Sequence, residues 1–230
     1  MNKPKPNIGV YTADIAPLQN TELFDRAYRT VSDERREKTD RMRFLKGKCQ
    51  SLGVECLLIH ACRDFDVRYG NGCILAEENK KPVFAAGAPH FNLSHSEDRV
   101  MCIMSDLPVG CDVEKIRTAD IGIAKRFFAK EEITLLEDCT TQQERDGLFY
   151  RIWTLKESFQ KCTGLGFQLP LDAFSICFTP DGIYVTQSVD KEKYLLFEKS
   201  PGDGYQYAWC IKTDDVSKYG SAAWKTIDFS

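Results

Sequence analysis

The sequence predicts an α/β chain made of two similar halves, and three observations carry that reading. Met42, Leu45, Cys49, Leu52, Cys56 and Ile59 recur at alternating steps of three and four, the spacing of a buried helical seam, and Phe149, Ile152, Leu155, Phe159 and Cys162 repeat the pattern later. Beyond Gly166 the apolar period changes from three-and-four to two, as in strands. The coarse order strand, helix, helix, strands then occurs twice, with a join near Leu107–Gly110. The expected halves are residues 1–108 and 109–230, although no identity between them is visible in the sequence.

Taken in order, Asn7–Thr12 reads as a first strand, and Thr21 as the cap of a short helix carrying Leu23, Phe24 and Tyr28. Ser32-Asp33 reads as the N-cap of a charged segment, Glu34–Arg43, that runs into the first seam. Arg68–Asn79, rich in Gly, Asn and acidic residues, predicts a loop, and Pro82 biases Lys81 toward extended backbone. Phe91–Ser96 and Arg99–Ser105 read as two strands joined by a polar turn, and Val109–Glu114 as another strand. Asp120–Phe128 and Lys130–Glu137 read as helical, Asp138–Gln143 as a break, and Gly164 as the C-cap of the long helix that follows. Thr179-Pro180-Asp181-Gly182 is a hairpin signal between Ala173–Phe178 and Ile183–Val189. Tyr194–Phe197 and Tyr205–Ile211 read as two more strands, and the last dozen residues carry no pattern.

Composition bounds the function. A chain of 230 residues with 43% hydrophobic content can bury a real core, and a formal net charge of -3 gives no broad attraction for nucleic acid or an anionic membrane. The polar segment before Asn7 lacks the apolar core of a secretory signal, and no apolar run approaches bilayer length. Ten cysteines are spread from Cys49 to Cys210 with no C-x-x-C pair, which reads as reduced thiols in a cytoplasmic protein rather than a disulfide framework or a zinc site.

Three local features bear on chemistry. Asp112 and Glu114 alternate with Cys111 and Val113, so on a strand both carboxylates face one side, roughly 7 Å apart at the backbone. Glu157 and Lys161 are four apart on the helix of the second seam, on another face that also carries Trp153, Lys156 and Gln160. By itself that pair is most simply a solvated ion pair, contributing a few tenths of a kcal/mol. Arg35, Arg36, Lys38, Arg41, Arg43, Lys46 and Lys48 form the densest basic zone, whose plain reading is a solubilising face. Ser94-His95 is not a hydrolase pair: adjacent strand residues point to opposite faces, and no G-x-S-x-G elbow is present. If Glu157 meets Asp112 and Glu114, three carboxylates surround one point. Oxygen ligands alone fit Mg²⁺ or Mn²⁺, which bind through few carboxylates plus a substrate phosphate, and a lysine one turn away can meet the same phosphate.

Phe91-Asn92-Leu93-Ser94-His95-Ser96, then Gly110-Cys111-Asp112-Val113-Glu114, then Trp153-Thr154-Leu155-Lys156-Glu157-Ser158 with Lys161 and Gly164-x-Gly166, resemble the ordered motifs of 4′-phosphopantetheinyl transferases, of the surfactin-synthetase-activating type. The resemblance runs from about Ser32 to the hairpin after Gly166. It implies a pseudo-twofold α+β fold, each half a small, mostly antiparallel sheet packed with helices, and a monomer whose N-terminal half holds the coenzyme A nucleotide. It also implies Mg²⁺-dependent transfer of the 4′-phosphopantetheine arm of coenzyme A to a serine hydroxyl of an apo acyl or peptidyl carrier protein, in fatty-acid, polyketide or nonribosomal-peptide synthesis. On the matching positions, Asp112, Glu114 and Glu157 would hold the metal, Glu157 would accept the serine proton directly or through water, and Lys161 would assist the departing phosphate. Arg35, Lys38, Ser51, Lys81, Ser94, His95 and Lys156 match coenzyme A contacts, with Arg35, Lys38 and His95 near the 3′-phosphate. Gln50 stands where the family often has a basic residue, and Cys111 where it has an aliphatic one. Two other classes share these residues. A non-catalytic coenzyme A-binding or carrier-binding module would not need the carboxylates, and a metal-dependent pyrophosphate hydrolase would release free phosphopantetheine.

Overall fold

The structure, a computed structural model, describes residues 7–75 and 81–230. The polar terminus read before Asn7 and residues 76–80, at the end of the expected loop, lie outside the described residues. In chain order the elements are β1 (Ile8–Asp14), α1 (Thr21–Thr30), α2 (Asp33–Asp40), α3 (Leu45–Asp64), β2 (Ile74–Leu75), β3 (Val83–Phe84), β4 (His90–Ser96), β5 (Arg99–Ser105), β6 (Val109–Lys115), α4 (Ile121–Phe127), α5 (Lys130–Glu137), α6 (Gln142–Thr163), β7 (Ser175–Thr179), β8 (Gly182–Thr186), β9 (Leu195–Lys199), β10 (Tyr205–Ile211), α7 (Val216–Tyr219) and β11 (Ala223–Ile227). They divide into one unit of Met1–Asp106 with Ser217–Ser230 and a second of Leu107–Val216. Each is a small sheet packed with helices. Among the described residues no helix is long and apolar enough to cross a membrane.

The first unit is built on a sheet of order β11-β1-β5-β4. β1 and β4 pair antiparallel with β5, while β11 pairs parallel with β1, Val10 opposite Trp224. The chain end therefore belongs with the first unit, not with the half beginning at 109. A parallel partner has no adjoining hairpin turn to announce it, so the strand leaves no local signal. Helix α1 is capped by Asn20, whose side chain accepts from the backbone of Glu22 and Leu23; Thr21, expected as the cap, is the first helical residue. Ser32 caps α2 as expected, its hydroxyl accepting from Arg35 N–H.

A turn between α2 and α3 resets the helical phase. The seam drawn from Met42 therefore holds at Cys49 and Leu52 but not at Leu45, which is half exposed. The buried face of α3 continues instead through Leu58, Ala61 and Cys62. The expected loop after α3 contains the short strand β2, which pairs with β3. At its end, α3 is tied to both ends of the chain: Asp64 accepts a 2.7 Å bond from the Tyr11 hydroxyl of β1 and pairs with Lys225 of β11.

The second unit has the antiparallel sheet β6-β10-β9 with α6 lying across β6 and β10. Gly110 makes that contact possible. A Cβ there would sit 2.0 Å from Ser158 O and 2.4 Å from Cys162 N, so only glycine lets the strand lie against the helix backbone. Helix α6 opens on a capping box, Thr141 Oγ1 accepting from Glu144 N–H and the Glu144 carboxylate from Thr141 N–H. It closes on Gly164 at φ 76°, in the left-handed region. The hairpin β7–β8 turns at Pro180-Asp181, as its sequence predicts.

The Asp64 tie gives the first unit an acid-sensitive anchor. Burial pushes its carboxyl up, but hydrogen bonds from Lys225 and Tyr11, with the charges of Lys225 and His60, outweigh that and hold it below the ordinary aspartate value. A depressed folded value stabilises above the unfolded value, about 3.9, and that contribution is lost as pH falls through the folded one. Asp64→Asn should therefore be less stable than the parent at pH 7, and the gap should close below about pH 4. Urea unfolding at stepped pH measures it; a gap that does not change with pH would contradict the anchor.

Candidate active site

The Gly110 contact decides where the acidic side chains of the second unit go. Gly110, Asp112 and Glu114 share one face of β6, while Cys111 and Val113 are fully buried on the other. The face that touches the α6 backbone at Gly110 carries Asp112 toward the same helix. Lys161 Nζ donates to Asp112 Oδ1 at 2.7 Å and lies 4.0 Å from Glu157 Oε2. The Glu157–Lys161 pair is thus not solvated: their side chains are 23% and 28% exposed, over an Asp112 that is almost wholly buried.

These charges set one another. Burial pushes the Glu157 carboxyl above the ordinary glutamate value; Lys161 opposes this and Asp112 adds to it. Burial also works against the Lys161 charge, but Asp112 and then Glu157 outweigh it and hold the ammonium above the ordinary lysine value. Glu114, half-buried, lies at the outer end of the face and raises the Tyr150 phenol, after burial itself.

Mg²⁺ was expected on Asp112, Glu114 and Glu157. Among the described residues no three such side chains converge as a ready coordination shell, because Lys161 lies between Asp112 and Glu157. The donor chemistry nevertheless fits a hard divalent cation. All the donors are carboxylate oxygens. Asp112 Oδ2 is buried and, among the described residues, receives no hydrogen bond. Two of the carboxylates, Asp112 and Glu157, share the ammonium of Lys161.

In the first unit, a groove of about 310 Å³ is lined by Arg35, Lys38, Gln50, Ser51 and His95 among others. Arg35 and Lys38 come from α2, Gln50 and Ser51 from α3, and His95 from β4. Arg35 and Lys38 also line an adjoining cavity floored by Glu55 and Tyr69. Ser51 is buried and accepts a 3.0 Å bond from Thr39, which ties α2 to α3. Gln50 donates to Glu97 O at the β4–β5 turn. Ser94 is buried and His95 exposed, on opposite faces of β4. Lys81 stands close enough to His90 that, after burial, it lowers that imidazole.

The 4′-phosphopantetheinyl transferase superfamily model matches residues 108–210, the span that carries Asp112, Glu114, Glu157 and Lys161. A 4′-phosphopantetheinyl transferase of Bacillus subtilis is 36% identical over 194 residues, covering 83% of this chain and 86% of the relative. The psf-1 transferase of Bacillus pumilus is 34% identical over 194 residues, covering 82% of each. The Sfp transferase of Bacillus subtilis strain 168 is 32% identical over 206 residues, covering 86% of this chain and 89% of the relative. The chain belongs to the 4′-phosphopantetheinyl transferase superfamily.

Within this phosphopantetheinyl transferase chain one expected coenzyme A contact has protein partners instead. Lys156, matched to coenzyme A, is wholly buried. Its Nζ donates to Glu132 Oε1 at 2.7 Å and to Phe174 O at 2.6 Å, and it lies 4.4 Å from the centre of the Phe174 ring. Burial pulls its ammonium below the ordinary lysine value, and Glu132 opposes that. The same Glu132 accepts from the backbone of Ile176 and Ala129, so Lys156 joins α6 to α5 and β7. Trp153, read on a charged face, packs on Phe149 and Phe128, and Gln160 donates to Leu169 O. Helix α6 is covered on several sides, so no single solvated face exists.

Sequence reading missed Glu132, which lies in an unremarkable charged run, Tyr150, two turns before Glu157 on the helix, and Glu55, which sits within an apolar seam.

Removing one member of a buried ion pair leaves the other uncompensated, at a cost of about 3–5 kcal/mol. Lys156→Met should lose that much stability by urea unfolding, with no selective rise in KM for coenzyme A. Parent-like stability with weakened coenzyme A binding would restore Lys156 to the ligand.

Proposed function

We propose that the protein transfers the 4′-phosphopantetheine arm of coenzyme A to a serine hydroxyl of an apo acyl or peptidyl carrier protein, releasing adenosine 3′,5′-bisphosphate. The observation that carries this is the buried Asp112 carboxylate held at 2.7 Å by Lys161 beside the half-buried Glu157. A solubilising helix face would not bury those charges, whereas phosphoryl transfer needs fixed charges of both signs at one point.

The step forms a bond from the serine oxygen to the β-phosphorus and breaks the bond from that phosphorus to the bridging oxygen. Glu157 accepts the serine proton, directly or through one water; burial raises its proton affinity, which suits a base. Lys161, kept charged by Asp112 and Glu157, neutralises the departing phosphate. Mg²⁺, or Mn²⁺ in its place, would be held by Asp112, Glu114 and Glu157, and supplies charge neutralisation on the pyrophosphate. Arg35, Lys38 and His95 hold the ribose 3′-phosphate in the groove of the first unit, with Ser51, Ser94 and Lys81 flanking the nucleotide. We read the enzyme as a cytoplasmic monomer; among the described residues its cysteines form no disulfide, which suits a reducing compartment.

Intact-mass analysis of a panel of apo-carriers with coenzyme A and Mg²⁺ tests the reading. The parent should add one phosphopantetheine arm, and Glu157→Gln should be slower by roughly a thousandfold or more, since proton acceptance and metal binding are both lost. No mass increase on any carrier would overturn the transferase reading, free phosphopantetheine without carrier modification would mark a hydrolase, and near-parent rates for Glu157→Gln would remove Glu157 from both roles.

A further inference from the structure

Glu55 is a charged residue inside the helical seam of α3, and only 2% of it is exposed. A buried carboxylate is costly unless its oxygens are occupied by donors. Two donors reach it. Ser32 N–H donates to Oε1 at 2.7 Å and Arg35 Nε donates to Oε2 at 2.5 Å, while the Tyr69 hydroxyl, from the segment after α3, lies near enough to feel its charge. Burial and the neighbouring Glu55 charge push the Tyr69 phenol up, so it remains neutral. Glu55 therefore grips the first turn of α2, at the residue that caps the helix and at the arginine that lines both the groove and its adjoining cavity.

The grip falls on one nitrogen of Arg35. With Nε committed to Glu55, the two Nη groups remain for an acceptor in the groove, in the planar fork that suits a phosphate. Lys38, one turn on, lies within reach of both charges: burial and then Arg35 lower its ammonium, and Glu55 raises it. We propose that Glu55 is a positioning residue for Arg35, and that by fixing the guanidinium it makes the groove prefer a nucleotide bearing a ribose 3′-phosphate over one with a free 3′-hydroxyl. The assignment rests on the reading of this groove as the nucleotide site.

The sign of the effect separates positioning from simple electrostatics. If Glu55 acted only through its negative charge, removing it would tighten both nucleotides, the more highly charged one most. If it positions Arg35, its loss weakens the 3′-phosphorylated nucleotide alone.

Calorimetric titration of the full chain with adenosine 3′,5′-bisphosphate and with adenosine 5′-monophosphate reads this without turnover. The parent should prefer the bisphosphate, and Glu55→Gln should cut the affinity ratio roughly tenfold through weaker bisphosphate binding, with the monophosphate unchanged. In an Arg35→Ala background the same substitution should leave the ratio unaltered. If Glu55→Gln does not fold, Tyr69→Phe carries the test, with a change in the same direction of about threefold. Equal loss for both nucleotides, tighter bisphosphate binding, or a parent that does not discriminate would overturn the assignment. A parent that discriminates but modifies no carrier would leave Glu55 standing and remove the transferase reading instead.

Discussion

The second unit depends on one contact without side chains, the approach of β6 to the backbone of α6 at Gly110. Any Cβ at that position would meet Ser158 O and Cys162 N well inside contact distance. Because strand side chains alternate, fixing Gly110 against the helix fixes Asp112 and Glu114 on the same side. Because helix residues recur at three and four, the turns carrying Ser158 and Cys162 also carry Glu157 and Lys161. The 2.7 Å bond from Lys161 to Asp112 follows from that placement and not from any attraction between distant charges. A glycine thus does for the site what no polar residue could: it shortens the strand-to-helix distance until a buried carboxylate meets an ammonium.

Helix α6 carries two lysines with carboxylate partners, and they differ in how completely they are satisfied. Lys156 and Glu132 are both wholly buried, and their remaining capacity goes to backbone groups of Phe174, Ile176 and Ala129. That pair is closed: it offers nothing to a ligand, and each partner is held in place by the large cost of stranding the other. Lys161 shares one ammonium between Asp112 and Glu157 and keeps partial exposure. In that cluster Asp112 Oδ2 receives no hydrogen bond among the described residues. Phosphoryl transfer needs such an incomplete cluster, since substrate and cation must complete it. The closed pair anchors the helix on which the open one stands. In the first unit the proposed role of Glu55 repeats the logic with opposite sign, since it engages Nε of Arg35.

Much of this was legible in the sequence because the signals are local. Ser32 and Gly164 are cap residues, Pro180-Asp181 is a turn, and the alternation of Asp112 with Cys111 and Val113 specifies a face; each needs only its neighbours along the chain. What was not legible depends on partners far away. The strand at Ala223–Ile227 has its partner at the opposite terminus, so nothing beside it announced it. The phase of α3 was misjudged because the turn after Arg41 cannot be distinguished by composition from a continuing charged helix. Helical spacing puts Lys156 on the face that carries Glu157 and Lys161, and nothing beside it along the chain marks it as buried. Its burial follows from Glu132, which is 24 residues away. Matching Lys156 to a family motif gave it a coenzyme A contact, whereas the structure gives it Glu132 and Phe174 O as partners.

The account stands on Asp112 being a cation ligand held against α6, not one half of a closed ion pair. Titration of the full chain with Mn²⁺ in the presence of coenzyme A, followed by electron paramagnetic resonance, tests this most directly. The parent should bind Mn²⁺ saturably, and Asp112→Asn, confirmed as folded by circular dichroism, should weaken that binding at least about tenfold, since an anionic ligand to a divalent ion is lost. Parent-like Mn²⁺ affinity in a folded Asp112→Asn protein would contradict the account.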